Sequence, residues 1–272
     1  MTPCVRDELA ANNVTLAYEQ RVIARGLSLR IPAGVITSII GPNGCGKSTL
    51  LRSLAGLLKP SEGEVTYAGT RLQDYSRKEF ARKVGLLPQT PIAPPGITVA
   101  DLVGRGRHPH QGLFGRWSQA DFDAVQTALE ATQLVEFSDR SVDELSGGQR
   151  QRVWIAMALA QETETLLLDE PTTYLDVANQ LEVLDLLVDL NIREKTTVAM
   201  VVHDMNLAAR YSQHIIAMKQ GQIVAEGSPL QVVTEQVMGE VFGIECRVEI
   251  DPTTGKPVVH PYGRHHVCSH VR

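Results

Sequence analysis

Nine residues, Gly41–Thr49, combine three glycines, which have no side chain over the backbone, with one cationic side chain and two hydroxyl groups. Their sequence is GPNGCGKST, which follows a short apolar stretch and precedes a segment with helical spacing. The glycines allow successive backbone N–H groups to converge on an anion, and the helix N-terminus adds partial positive charge. Lys47 is placed to reach the β- and γ-phosphates of a nucleotide, and the Ser48 hydroxyl to bind Mg²⁺. This stretch predicts a site for a nucleoside triphosphate with Mg²⁺, with Thr49 bonding an inner phosphate.

Two adjacent carboxylates end a second apolar stretch, TLLLDEP at residues 165–171. A buried strand that ends in Asp169 places this carboxylate to hold the Mg²⁺ shell. Glu170 follows just past the strand end, where it is placed to act as the base that polarises an attacking water. The two carboxylates therefore predict that the chain hydrolyses the nucleotide as well as binding it.

A second helix start with accessible backbone lies at residues 145–152, LSGGQRQR. Ser146 is a favourable N-cap, and Gly147 and Gly148 leave backbone N–H groups accessible at the positive end of the helix dipole. Because the chain has one phosphate loop, this second anion site is expected to serve a nucleotide that another copy of the chain holds.

Short apolar strands and helical segments alternate around these motifs, which indicates an α/β protein with a parallel sheet. The predicted strands are Val35–Ile40, Val84–Leu87, Thr165–Leu168, Thr197–Val202 and His214–Met218. The predicted helices are Ser48–Ala55, Gln119–Thr132, Gln149–Ala160, Ala178–Leu190 and Met205–Tyr211. Residues 12–31 and 63–71 are predicted as antiparallel β, and residues 90–159 as an inserted helical subdomain. After about Pro229 we expect a tail whose loose tip is rich in histidine: His260, His265, His266 and His270.

Composition limits the classes of function. The chain has 272 residues, a net charge of −5 and a pI near 5.9, which argues against non-specific binding to nucleic acid. Four scattered cysteines without a CxxC pair favour a reducing compartment. The sequence shows no apolar leader and no apolar stretch near the ~20 residues of a membrane span. We therefore expect a soluble chain that works at a membrane only through a partner.

Together, the three motifs resemble the ATP-binding cassette, the nucleotide-binding subunit of an ABC transporter, over about residues 12–245. GPNGCGKST resembles the Walker A motif of that family, LSGGQRQR its signature motif and TLLLDEP its Walker B motif. The resemblance implies a P-loop NTPase (RecA-like) core with an antiparallel β subdomain, an inserted α-helical subdomain at about residues 90–159, and a C-terminal tail at residues 246–272. It also implies that the whole loop contacts ATP: Gly41, Pro42, Asn43, Gly44, Cys45, Gly46, Lys47, Ser48 and Thr49.

Further residues match the family in order and spacing. Tyr18 resembles the aromatic residue that stacks on adenine, and Gln89 resembles the Q-loop glutamine that senses Mg²⁺ and water. His203 resembles the switch histidine that contacts the γ-phosphate, and Asp176 the D-loop aspartate that ties the two sites together. The resemblance implies a homodimer that encloses two ATP molecules, each between Lys47 of one copy and the signature motif of the other. The signature residues are Ser146, Gly147, Gly148 and Gln149.

Finer matches point to a cargo. The segment that starts at Gln89, QTPIAPPGITVADLVGRGRHPHQGLFGRW, resembles cassettes that import iron(III)-siderophores. It departs from them at His108, where that group often has tyrosine. The resemblance implies an ATPase at the cytoplasmic face of a bacterial membrane, with two permease copies and an extracytoplasmic binding protein. Arg105, Arg107 and His108 are the candidates for polar contacts with the permease. The alternatives are cobalamin or haem import, a soluble scaffold cassette and a nucleic-acid motor.

Cys45 lies inside the phosphate loop, close to Lys47. Basic groups there are expected to lower the pKa of its thiol. Phosphoryl transfer to water needs no covalent step, so we expect no catalytic thiol. We expect instead that thiol reagents block ATP binding.

Overall fold

Strands and helices alternate along the part of the chain that the computed structural model describes, residues 8–19, 21–112, 116–173 and 175–263. The strands are β1 (Leu9–Tyr18), β2 (Arg21–Ile31), β3 (Ile36–Ile40), β4 (Glu62–Tyr67), β5 (Thr70–Arg71), β6 (Val84–Leu87), β7 (Thr165–Asp169), β8 (Thr197–Val201), β9 (His214–Lys219), β10 (Gln222–Gly227), β11 (Cys246–Ile250) and β12 (Pro257–Pro261). The α-helices are α1 (Lys47–Leu54), α2 (Arg77–Ala81), α3 (Val99–Gly104), α4 (Gln119–Ala131), α5 (Gly147–Ala160), α6 (Val177–Glu194), α7 (Met205–Tyr211), α8 (Pro229–Val232) and α9 (Glu235–Phe242).

The central sheet has six strands in the order β10-β9-β3-β8-β7-β6. All neighbours from β9 to β6 are parallel, and β10 pairs antiparallel with β9. Every residue of β3, β7 and β8 is buried, which explains why these strands read as unbroken apolar stretches. Because parallel strands end at one edge, the segments that follow β3, β6, β7 and β8 meet there. These segments carry the phosphate loop, Gln89, Glu170 and His203.

Two layers cover the faces of this sheet. A four-stranded antiparallel sheet, β2-β1-β4-β5, and helix α1 share one apolar core with alternate residues of the central strands, such as Ile39 and Ala199. The opposite face packs against helices through the other residues of the same strands, such as Ile40 and Met200. The alternation of side chains across each strand therefore divides the molecule into two apolar cores.

Helices α3, α4 and α5 pack against one another in the middle of the chain. Leu102, Leu129 and Trp154, one from each helix, are buried in their shared core. Short 3₁₀ turns at Val135–Phe137 and Val142–Glu144 connect α4 to α5. This packing sets the direction of α5, which begins at the signature motif.

The C-terminal segment folds further than its sequence pattern indicates. Strands β11 and β12 form an antiparallel hairpin after α8 and α9, where the sequence analysis predicts only a tail. The Asn206 side chain donates to the Val259 carbonyl at 3.2 Å and accepts from the Val259 N–H at 2.7 Å, which holds β12 against α7. His260 lies on β12, and the predicted loose tip with its other three histidines lies outside the described residues.

The predicted fold class is confirmed: an α/β core carries an antiparallel sheet and a group of helices. Strand β6 and helix α7 have the predicted bounds, and the other predicted core elements differ by a few residues at their ends. No helix in the described part of the chain is both long and apolar enough to cross a bilayer.

Candidate functional site

Three glycines of the loop at residues 41–46 adopt backbone angles that other residues avoid. Gly41 has φ 152°, Gly44 has φ 76° and Gly46, which precedes α1, has φ 107°. A Cβ on Gly41 would lie 2.2 Å from the Met218 carbonyl oxygen, so only glycine fits this turn. The loop thus brings its backbone to the N-terminus of α1, where a phosphate group is favoured.

Lys47, the first residue of α1, turns back into this loop. Its side chain is buried, and its Nζ donates to the carbonyls of Gly41 at 2.8 Å and Pro42 at 3.0 Å. Lys47, Ser48 and Thr49 line an open cavity of about 550 Å³. The cavity therefore has cationic and hydroxyl groups against a backbone cradle, which fits the phosphates of a nucleotide.

Ser48 and Asp169 join the loop to the end of β7. The Ser48 hydroxyl donates to Asp169 Oδ1 at 2.9 Å. Burial raises the pKa of the Asp169 carboxyl, and the Ser48 hydrogen bond partly opposes that shift. A hydroxyl and a carboxylate in contact are hard oxygen ligands of the kind that Mg²⁺ prefers, so this pair fits the predicted metal site.

The Glu170 carboxylate lies where three segments meet. Gln89 Nε2 donates to its Oε2 at 2.7 Å, and His203 Nε2 lies 2.7 Å from its Oε1. The Thr173 hydroxyl donates to Oε2 at 3.0 Å. Glu170 has φ 57°, a left-handed backbone angle that few residues with a side chain adopt. The structure thus brings together the predicted base, the predicted switch histidine and the predicted Q-loop glutamine.

Two residues that line the cavity, Arg21 and Ile23, are absent from the sequence predictions. A third, Thr173, belongs to the segment Thr172–Asp176, which resembles the D-loop of the family, but it has no predicted role of its own. Arg21 and Ile23 lie on β2. A Cβ on Gly46 would lie 3.1 Å from Ile23 Cγ2, which shows how closely the Ile23 side chain approaches the loop. This approach of the antiparallel sheet is a long-range contact, so no local pattern indicates it. Thr173 is three residues after Glu170, and a hydroxyl so close in sequence to the predicted base is the feature that could have indicated a role at the site.

Tyr18, predicted to stack on adenine, lies at the end of β1 and is not among the described residues that line the cavity. Tyr18 as a whole residue is 40% exposed. Arg52 Nη1 on α1 donates to its hydroxyl at 3.3 Å. The structure leaves a face of this residue accessible close to α1, and the adenine role stays a prediction.

The signature residues lie apart from the cavity. Ser146 and Gln149 form a capping box at the start of α5, with bonds of 3.2 Å and 3.0 Å between each side chain and the other's N–H. A Cβ on Gly148 would lie 2.6 Å from Asn179 Oδ1, and Asn179 Nδ2 donates to Asp176 Oδ2 at 2.7 Å. Asp176 caps α6. Neither the signature residues, Gly147 included, nor Asp176 is among the described residues that line the cavity.

Two sequence expectations need correction. Burial raises the pKa of the Cys45 thiol, and the nearby Lys47 charge only partly opposes this rise, so the expected lowering is wrong. Arg107 is 3% exposed, which excludes it as a surface contact for a permease, whereas Arg105 and His108 are exposed. Arg107 instead donates to Asp121 Oδ1 at 2.9 Å, and its Nη1 donates to the Ala160 carbonyl at 2.7 Å.

Comparisons with known proteins show the family to which the chain belongs. A family model described as ABC transporter matches residues 24–173. The ferric enterobactin transport ATP-binding protein FepC of Escherichia coli strain K12 is 50% identical over 256 residues, 94% of each chain. The petrobactin import ATP-binding protein FpuD of Bacillus anthracis is 51% identical over 256 residues, again 94% of each chain. A solved dimeric bacterial ABC transporter cassette has a TM-score of 0.72 and 32% identity, covering 81% of this chain and 98% of that one. The chain belongs to the ABC transporter family, as one of its ATP-binding proteins.

Proposed function

We propose that the chain is the ATP-hydrolysing subunit that powers import of iron(III)-siderophores across the cytoplasmic membrane as part of an ABC transporter complex. As a member of this family it binds ATP and is an ATPase. The proposed cargo is supported by sequence identity: about half of all aligned residues are identical to those of two proteins named for transport of ferric enterobactin and petrobactin. Both alignments cover nearly the whole of each chain.

The phosphate loop holds the nucleotide in this proposal. Its backbone N–H groups and Lys47 bind the β- and γ-phosphates, and Thr49 bonds an inner phosphate. The Ser48 hydroxyl and the Asp169 carboxylate hold Mg²⁺ together with Gln89, and their 2.9 Å contact is compatible with this role. Held there, Mg²⁺ would supply positive charge that balances the charge of the phosphate groups. Tyr18 offers its exposed face to the adenine ring.

Glu170 orients the water that attacks the γ-phosphate and takes up its proton as the bond to ADP breaks. The products are ADP and inorganic phosphate. His203 leaves Glu170 to contact the γ-phosphate, and its distance of 2.7 Å from Glu170 Oε1 supports a place for both side chains beside the same phosphate group. The roles of both residues are supported by their position beside Gln89 and the phosphate loop.

The signature motif acts on the nucleotide of a second copy. None of its residues is among the described residues that line the cavity of the same chain, and this supports the proposal because the start of α5 then has backbone N–H groups to offer to another anion. Ser146, Gly147, Gly148 and Gln149 of one copy close over the ATP that Lys47 of the other copy holds, and Asp176 links the two sites. ATP, which contacts both copies, favours the closed dimer, and ADP does not.

Residues 12–245 form the nucleotide-binding domain in this proposal, with the helical subdomain at about residues 90–159 and the C-terminal tail at residues 246–272. The dimer sits peripherally on the cytoplasmic face of the membrane, bound to two permease copies that receive cargo from an extracytoplasmic binding protein. Arg105 and His108, both exposed beside the buried Arg107, are the candidates for polar contacts with the permease. Nucleic acid has no part in this function.

Growth on single iron sources tests the cargo. A deletion strain is supplied with iron only as one iron(III)-siderophore, and growth is measured with the parent gene or the Glu170→Gln variant returned. We expect growth on at least one such chelate with the parent and none with the variant. Growth on every chelate without the gene would contradict the proposed cargo, and a defect confined to cobalamin or haem would assign one of those instead.

A further inference from the structure

The two oxygens of the Glu170 carboxylate have different partners. Oε2 accepts hydrogen bonds from Gln89 Nε2 at 2.7 Å and from the Thr173 hydroxyl at 3.0 Å. Oε1 faces His203 Nε2 at 2.7 Å. The Glu170 side chain is only 9% exposed, and these three groups are its hydrogen-bond and ion-pair partners among the described residues. Which of them stays in place during the reaction decides which oxygen is free to accept a proton.

Gln89 and His203 both have another task in the proposed function. Gln89 follows β6 and turns toward Mg²⁺ and water, and His203 follows β8 and turns toward the γ-phosphate. Each reaches Glu170 from a different strand end, so a shift of either segment breaks its contact. Neither residue can therefore be the constant support of the carboxylate.

Thr173 is tied to Glu170 within one turn. The Thr173 N–H donates to the Glu170 carbonyl at 3.3 Å, in addition to the bond from its hydroxyl to Oε2. This turn begins with the left-handed backbone of Glu170, φ 57°. The half-buried Thr173 side chain also lines the cavity of the phosphate loop. Because it is three residues away in the same turn, Thr173 keeps its contact when Gln89 and His203 move.

We propose that Thr173 is the positioning residue of the catalytic carboxylate: its hydroxyl holds Glu170 Oε2 and leaves Oε1 as the oxygen that takes the proton of the attacking water. The inference rests on the proposed role of Glu170 as the base. Once His203 turns to the γ-phosphate, Oε1 loses its partner while Oε2 keeps one. When a hydrogen bond holds one carboxylate oxygen, the position of the other oxygen is also fixed. Proton transfer from a water in a near-attack geometry needs an acceptor oxygen in such a fixed position.

Substitution of Thr173 tests this proposal by steady-state ATPase kinetics. Thr173→Val keeps the shape and removes the donor, and Thr173→Ser keeps the donor. We expect Thr173→Val to lower kcat about tenfold with an unchanged KM for ATP, as the loss of one hydrogen bond to a charged group implies. Thr173→Ser should restore most of kcat. Thr254→Val is the matched control, because the Thr254 hydroxyl donates to Asp251 Oδ2 at 2.8 Å on the remote hairpin.

The Glu170→Gln background separates this inference from the proposed function. If Thr173 acts through Glu170, adding Thr173→Val to Glu170→Gln causes no further loss of the residual rate. A parent-like kcat in Thr173→Val, or a Ser variant as slow as the Val variant, would overturn the positioning role while Glu170→Gln still stops turnover. Should Glu170→Gln itself turn over at the parent rate, the base assignment fails and the inference fails with it.

Discussion

His203 Nε2 and Glu170 Oε1 lie 2.7 Å apart across the ends of two neighbouring strands, β8 and β7. Glu170 is nearly buried, whereas His203 is 42% exposed. The histidine therefore has space on its open side, toward the cavity that both residues line. This pair connects the proposed base with the proposed sensor of the γ-phosphate.

Glu170→Gln tests the base directly. The amide keeps the size of the side chain but cannot accept a proton, so we expect kcat to fall at least about a hundredfold while ATP binding remains. ATP should then trap the variant as a dimer, which size-exclusion chromatography with light scattering detects. Glu136→Gln, on an exposed residue remote from the motifs, is the control and should behave as the parent. Turnover at the parent rate in Glu170→Gln would remove this residue from the mechanism.

Arg107→Ala should destabilise the fold. Arg107 connects Asp121 near the start of α4 with the Ala160 carbonyl at the end of α5, and its removal leaves the Asp121 carboxylate buried with one partner fewer. Breaking a buried ion pair in this way costs about 3–5 kcal/mol in the free energy of unfolding. Urea unfolding measures the loss, with the exposed Arg105→Ala as control, for which we expect a change within about 0.5 kcal/mol. Equal stability of the two variants would show that Arg107 is not an anchor.

Asp121 gives the stability a specific pH dependence. The Ser118 N–H, 2.9 Å from Asp121 Oδ2, is the main cause that lowers the pKa of this carboxyl to about 2, and the Ser118 hydroxyl and Arg107 add to it. The unfolded value is near 4, so the stabilisation is complete above about pH 4 and is lost as the pH falls toward 2. Urea unfolding at several pH values between 5 and 2.5 gives the free energy of unfolding as a function of pH. This free energy should fall less steeply with decreasing pH for Asp121→Asn than for the parent. Identical slopes would contradict the assignment.

Cys45 should react slowly with thiol reagents at neutral pH. Its side chain is 4% exposed and burial raises the pKa of its thiol, so little thiolate is present. The rate of modification should rise with pH into the alkaline range, and ATP should protect the residue that lies within its cradle. Mass spectrometry of the labelled peptide follows this rate, and Cys45→Ala is the control. Fast labelling that ATP does not slow would place Cys45 outside the nucleotide site.

Much of the site could be predicted because its chemistry lies at the ends of buried parallel strands. Asp169, Glu170 and His203 each follow a short apolar stretch, and Lys47 follows a glycine-rich one, so local sequence reveals both the strand and the reactive group. The same reasoning failed at Arg107. Its neighbours Arg105 and His108 are exposed, and only the packing of α4 and α5 buries its charge.

Long-range contacts account for the other features that the sequence analysis did not predict. Ile23 reaches the phosphate loop because β2 folds over it, and no spacing in the sequence of β2 indicates that contact. The hairpin of β11 and β12 is held by the Asn206 side chain, which lies 53 residues before its partner Val259. Helix α6 extends to Glu194, past its predicted end at Leu190. Its last turn includes the buried Asn191, whose side chain donates to the distant Gly34 carbonyl at 3.0 Å and to the Thr196 carbonyl at 2.8 Å.

If each ATP is held by two copies of the chain, two variants that are inactive alone should restore activity when they are mixed. Lys47→Ala removes the phosphate contact, and Ser146→Arg blocks the signature motif. A mixed dimer contains one site with both changes and one site with neither. Each variant alone should have no ATPase activity, and an equimolar mixture should regain roughly a quarter of the parent rate, because half of the dimers then carry one intact site. A mixture that stays as inactive as its components, although both are folded and form mixed dimers, would contradict the shared site.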